Sequence, residues 1–156
     1  MSQEKDAPDV VIQPPIALAV AVIVCLGLNY LRPLPFVPPA IPHIEAGLIL
    51  FLIALLIIRW SAATFRKAGT QVLINKAATA IVDTGPYRYS RNPIYVALFL
   101  GLVALAVGFD TLWFLAALVV MYFVIRYGVV AREEIYLERK FGARYLDYKT
   151  KVRRWL

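Results

Sequence analysis

Four apolar stretches, residues 16–31, 46–63, 94–109 and 111–131, fill much of this chain, and each is long enough to cross or nearly cross a lipid bilayer. Against the roughly 20 residues that a helical span prefers they are somewhat short or interrupted, with Arg59 inside the second and Arg126 inside the fourth. Long arginine side chains near span ends reach the interface, and local bilayer thinning absorbs the remaining mismatch. Composition argues against a soluble alternative. Of 156 residues, 61% are hydrophobic and 17% charged, mean hydropathy is +0.68, and a small domain cannot hide that much apolar surface from water. The prediction is an all-α integral membrane helical bundle, one domain over residues 1–156, with about four transmembrane helices and amphipathic helices over 132–156.

The connectors fix how these helices follow one another. Between the first two runs, Pro33, Pro35, Pro38, Pro39 and Pro42 remove backbone donors and forbid a continuous helix. Between the last two, Gly108-Phe109-Asp110 makes a tight turn, so those helices form an antiparallel hairpin. Lys and Arg divide unevenly: Lys5 before the first span, Arg32 in the first connector, six from Arg59 to Arg91, and nine from Arg126 onward. The positive-inside rule then places the second connector, the C-terminal segment and the N-terminus in the cytoplasm. Residues 1–9 carry Glu4, Lys5, Asp6 and Asp9, lack the basic start of a secretory signal, and precede a first run that is read as retained. A net charge of +7 finds its partner in anionic membrane lipid rather than in nucleic acid.

Several chemistries are excluded by counting. Cys25 and His43 are each the sole residue of their kind, so neither a disulfide framework, nor a metal site built on His or Cys, nor a Ser-His-Asp triad can be assembled. Polar chemistry concentrates in two places instead. In residues 83–95, Gly85-Pro86 marks a turn, and Asn92-Pro93 reads as a helix start with Asn at the N-cap. Free N–H groups at that start, flanked by Arg88 and Arg91, suit an anion, either a ligand or a lipid phosphate. The second place lies just past the fourth span. Leu137, Phe141, Tyr145, Tyr148, Val152 and Trp155 recur at spacings of 4, 4, 3, 4 and 3, an amphipathic stripe that Gly142 can break into two helices. Extended backward, the stripe lands on Glu134, which must therefore meet a cation, either Arg88, Arg91 or Arg126, or a ligand. Adjacent Glu133 points about 100 degrees away, so at most one of the pair shares the inward face.

Gly85-Pro86-Tyr87, then Arg91-Asn92-Pro93-Ile94-Tyr95, then Glu133-Glu134 with Tyr136-Leu137, Phe141-Gly142, Tyr145 and Tyr148, resemble the membrane-bound isoprenylcysteine carboxyl methyltransferases and phospholipid methyltransferases. The resemblance covers residues 60–155, with the first span outside it. Asn92 stands where many members have His, and Ala97 where many have Gly. The resemblance implies S-adenosylmethionine as cofactor, bound on the cytoplasmic side, and a lipophilic acceptor arriving from the membrane. It implies cofactor binding by Gly85, Pro86, Tyr87, Arg91, Asn92, Pro93, Tyr95, Glu133 and Glu134. Arg88 or Arg91 would orient a carboxylate acceptor, and Glu134 would serve as base for an amine. Two other classes remain: an NADPH-dependent membrane reductase of the sterol type, and a non-catalytic membrane scaffold.

Overall fold

The computed structural model describes residues 10–69 and 78–156; the polar start, residues 1–9, and Lys76 lie outside them. The regular structure among the described residues is helical: α1 (Pro14–Leu31), α2 (His43–Lys67), a 3-10 turn (Gly85–Arg88), α3 (Pro93–Gly108), α4 (Trp113–Ile125), a π-helical turn (Arg126–Val130), α5 (Ala131–Phe141) and α6 (Ala143–Lys151). Prolines mark the starts, Pro14 and Pro93 in the first turn of α1 and α3, and Pro42 just before α2. A missing N–H costs nothing there, because the first N–H groups of a helix lack intrahelical partners anyway.

α1, α2 and the continuous helix Trp113–Phe141 are each long and apolar enough to cross a membrane. α3 is equally apolar but has 16 residues, which span about 24 Å. Three full-length helices and one shorter one thus take the place of the four expected spans. All four run between the same two ends of the bundle. At one end His43 Nδ1 lies 3.2 Å from the Gly108 carbonyl, Trp113 Nε1 donates to the Arg32 carbonyl at 2.8 Å, and the Asp110 carboxylate accepts from the Phe36 and Val37 N–H groups. At the other end the Val11 N–H donates to the Gly128 carbonyl at 3.1 Å, inside the π-helical turn.

Side-chain size is sorted the opposite way from a soluble protein. On α2 the exposed residues include Leu48, Ile49, Phe51, Leu52 and Leu56, while the buried ones are Gly47, Ala54, Ser61 and Thr64. Large apolar groups face outward because hydrocarbon solvates them, and small ones face inward because close backbone approach is what binds helices in lipid. α2 packs on α3, α3 on α4, and α4 on α1. Gly47 is the tightest point of the first pair: an added Cβ would sit 2.5 Å from the Gly108 Cα and 2.9 Å from the Ala104 carbonyl. The reverse addition at Gly108 would meet the Gly47 Cα at an ordinary 3.7 Å. Gly47→Ala is therefore expected to destabilise by about 1–3 kcal/mol, the usual cost of overpacking, and Gly108→Ala by much less. Melting temperatures of the two variants in detergent check this, and equal losses would contradict it.

The amphipathic segment is broken as its composition allows, at Gly142, whose φ of +52° favours glycine. The π-helical turn was not foreseen. One extra residue in that turn rotates everything after it by about 100 degrees relative to an unbroken α-helix, which re-aims Glu133 and Glu134.

Candidate functional site

The site begins at the 3-10 turn. Gly85 has φ +58°, and a Cβ there would lie 2.6 Å from Thr64 Oγ1, so only glycine lets the turn settle against the end of α2. Buried Tyr87 packs edge-on against Phe65 of α2, ring centres 4.7 Å apart. From the other side Tyr148 of α6 donates its hydroxyl to the Tyr87 carbonyl at 2.8 Å. The turn that feeds α3 is thus gripped by two helices remote in sequence.

Asn92 occupies the N-cap position of α3 and Pro93 the first helical position, as expected, but the Asn92 side chain makes no cap. Its Nδ2 donates instead to the Arg154 carbonyl at 3.0 Å, while Ser90 Oγ accepts the Asn92 N–H at 3.1 Å. Ser90 Oγ also donates to the Arg154 carbonyl, and the Arg91 N–H donates to the Arg153 carbonyl at 2.9 Å. Residues 90–92 are therefore laced to residues 153 and 154.

The charged centre is Arg91, Glu134 and Arg154. Arg91 Nη1 lies 3.2 Å from Glu134 Oε1, and both side chains are 8% exposed. Arg154 meets the same carboxylate with two donors, Nε to Oε1 at 2.9 Å and Nη2 to Oε2 at 2.7 Å. This paired, fork-like geometry is the strongest form of the arginine–carboxylate contact. Burial alone would raise the Glu134 carboxyl, but the Arg154 hydrogen bond and the charges of Arg91 and Arg154 outweigh it and hold Glu134 below the usual carboxylate range. Two guanidinium groups against one carboxylate leave one positive charge in excess. Arg91 Nε is buried and has no hydrogen-bond partner.

Glu133 faces elsewhere. Its Oε1 accepts the Tyr95 hydroxyl at 3.1 Å, and it lies beyond the Arg126–Val130 turn. Enclosure pushes the Glu133 carboxyl up to about 7, with the charge of Glu134 adding to the rise and the Tyr95 hydrogen bond opposing it.

Arg91 and Glu133 stand at the polar end of a cleft of about 940 Å³. Its walls are α1, through Pro14, Leu18 and Val22, α2, through Ile58 and Phe65, and α3, through Pro93, Ile94 and Leu98. Tyr87, Asn92 and Tyr95 complete the polar end. Apolar walls with a few convergent polar groups at one end are the usual anatomy of a small-molecule site.

Of the residues anticipated from sequence, Tyr87, Arg91, Asn92, Pro93, Tyr95 and Glu133 converge on this cleft, with Gly85 and Pro86 shaping the turn beneath it. Glu134 sits behind Arg91, engaged by both guanidinium groups. Arg88 is exposed and lines a different, smaller cleft with Asp83, Arg144, Asp147 and Lys151. Ser90, Tyr145 and Arg154 were not singled out for the site. Tyr145 belongs to the aromatic stripe, and its hydroxyl lies 3.5 Å from Arg91 Nη1. Arg154 falls in a basic run with no periodic signal.

A 65-residue uncharacterized protein of Haemophilus influenzae is 45% identical over its whole length, which is 40% of this chain. The nickel-cobalt-cadmium resistance protein NccN of Alcaligenes xylosoxydans xylosoxydans is 34% identical over 73 residues, 47% of this chain and 34% of that protein, so the chain spans about a third of that relative's length. No solved structure matches. The model of the phospholipid methyltransferase family matches residues 42–144, which run from the start of α2 to the start of α6 and leave out α1, most of α6 and the segment after it. With well over half of the chain matched, this protein belongs to the phospholipid methyltransferase family.

Proposed function

We propose that the protein transfers a methyl group from S-adenosylmethionine to a hydrophobic acceptor dissolved in the membrane. The observation that carries the reading is Arg91: a buried cation with an unpartnered Nε, at the boundary between a charged cluster and an apolar cleft. The residues present suit that cofactor. The excess positive charge and the Arg91 donor match its carboxylate, and Glu133 with Tyr95 matches its ammonium or ribose hydroxyls. The Tyr87 ring suits adenine or the sulfonium.

When bound, S-adenosylmethionine supplies an electrophilic methyl group on a positively charged sulfur. The chain's own part is alignment and exclusion of water, which is worth roughly 7–11 kcal/mol in a well-oriented pair. The apolar walls of α1, α2 and α3 admit a hydrocarbon chain and keep water from the polar end. A carboxylate acceptor is already ionised, and Arg91 with Asn92 would orient it. An amine acceptor must lose a proton, and Glu133 is the carboxylate placed to take it; Glu134, held ionised by two guanidiniums, is a poor base. By the positive-inside rule the polar end and the flanking basic segments are cytoplasmic.

Calorimetric titration of the protein in detergent tests the reading. Saturable binding of S-adenosylmethionine, absent for NADPH, is expected; binding of NADPH alone would favour a reductase, and binding of neither a scaffold. Incubation with methyl-labelled cofactor and total lipid extract then identifies the acceptor.

The pH profile separates the two acceptor classes. Glu133 titrates near 7, so its basic form grows as pH rises through that value. With an amine acceptor, kcat is expected to climb to a plateau above about 7 and the Glu133→Gln variant to lose that inflection. With a carboxylate acceptor, no such inflection is expected.

A further inference from the structure

We propose that residues 152–156 form a clasp that positions Arg91, with Arg154 as the positioning residue and Trp155 as the anchor; its ligand readout rests on the proposed use of S-adenosylmethionine. The segment lies outside the residues matched by the family.

The chain leaves α6 at Val152 in extended conformation and runs past the start of α3. Two of its carbonyls, those of Arg153 and Arg154, accept three donors from residues 90–92. Trp155 then sets its ring against both Phe99 of α3, 5.5 Å away, and Tyr122 of α4, 5.7 Å away. The anchor therefore grips the two helices of the hairpin, and the residue before it reaches back to α5.

Geometry assigns the roles. Arg154 takes Glu134 with both donors, at 2.7 and 2.9 Å, whereas Arg91 shares only Oε1, at 3.2 Å. Arg154 consequently sets the orientation of the carboxylate, and Oε2 is occupied before Arg91 can use it. Arg91 is held to a single-point contact, which leaves its Nε side turned away from Glu134. Without Arg154, both carboxylate oxygens become available to Arg91, a paired contact forms, and the guanidinium is drawn out of the cleft toward α5. The clasp thus keeps the buried cation partly unsatisfied where a ligand carboxylate can meet it.

A two-variant cycle tests this on the full-length protein. Arg154→Ala is expected to weaken S-adenosylmethionine binding at least about tenfold, and Arg154→Lys to recover only part of it because an ammonium cannot make the fork. Adding Glu134→Gln to Arg154→Ala removes the competing charge, releases Arg91, and is expected to restore most of the lost affinity. A merely structural role predicts the reverse, a further loss in the double variant, and that result would overturn the proposal. A second measurement needs no ligand. The Arg91 N–H, bonded to the Arg153 carbonyl, is expected to exchange with solvent deuterium at least about tenfold faster in Trp155→Ala while amides within α4 keep their rates. Unchanged Arg91 exchange would show that no clasp exists. If the wild-type protein binds no S-adenosylmethionine while Trp155→Ala still accelerates that exchange, the cofactor reading fails and the clasp stands.

Discussion

Arg91→Ala is expected to lower the affinity for the proposed cofactor, S-adenosylmethionine, about a hundredfold, and Arg88→Ala to change it less than about twofold; the first figure corresponds to losing one buried charge-assisted contact, near 3 kcal/mol. The two arginines are three residues apart and look interchangeable in sequence. Arg88 is the last residue of the 3-10 turn, whereas Arg91 follows Ser90, whose hydroxyl bonds to Asn92 and Arg154 tie the chain to the returning C-terminal segment. Arg91 then lies buried at the cleft, and Arg88 is exposed in a separate depression with two acidic and two further basic residues. Water screens an exposed cation, and its removal is nearly silent; a buried cation has no such substitute. Calorimetry on both variants checks the contrast. Equal losses would mean that the anion is held by the general basic character of the loop and not by Arg91.

Much of this was legible in the sequence for a physical reason: the periodicities that matter are short-range. Apolar run length sets helix existence, and the predicted start of α3 at Asn92-Pro93 and the break at Gly142 follow from local backbone chemistry. Glu134 was placed inward by counting back along the stripe, and it lies 6% exposed against Arg91. What the sequence does not show is what long-range packing decides. Asn92 gives up its cap to bond Arg154, 62 residues away, because the returning segment offers a carbonyl there. The π-helical turn has no sequence signature of its own, yet its extra residue lets Glu133 reach Tyr95 while Glu134 reaches the arginines. Both glutamates are thus used, on different faces, where a simple helical wheel gives an inward place to only one. Arg154 is one of nine basic residues from Arg126 onward, and only the fold singles it out.

Glu134→Ala is the substitution expected to cost most in stability among the site residues. It leaves the Arg91 and Arg154 guanidiniums facing one another across the space the carboxylate filled, with Arg91 8% exposed and Arg154 29%. Breaking a buried pair by removing one partner typically costs 3–5 kcal/mol, and the partial exposure of Arg154 puts this case near the lower end, about 3 kcal/mol. For a chain of this size that lowers the melting temperature by about 6–12 °C. Glu134→Gln keeps the shape and one acceptor oxygen, so its loss is expected to be smaller. The sign of the acid dependence follows from the depressed titration of Glu134. Its contribution is complete above the ordinary carboxylate value of 4.5 and is lost as pH falls through the lower value it has in the folded protein. The wild-type protein is therefore expected to lose melting temperature in that acid range, and Glu134→Gln to lack that step. Melting curves of the three proteins in detergent between neutral and acid pH measure both effects. A Glu134→Ala protein that melts with the wild type would show that the arginines are satisfied without the carboxylate, and the buried charge triad would lose its place as the fixed frame on which Arg91 is presented to the cleft.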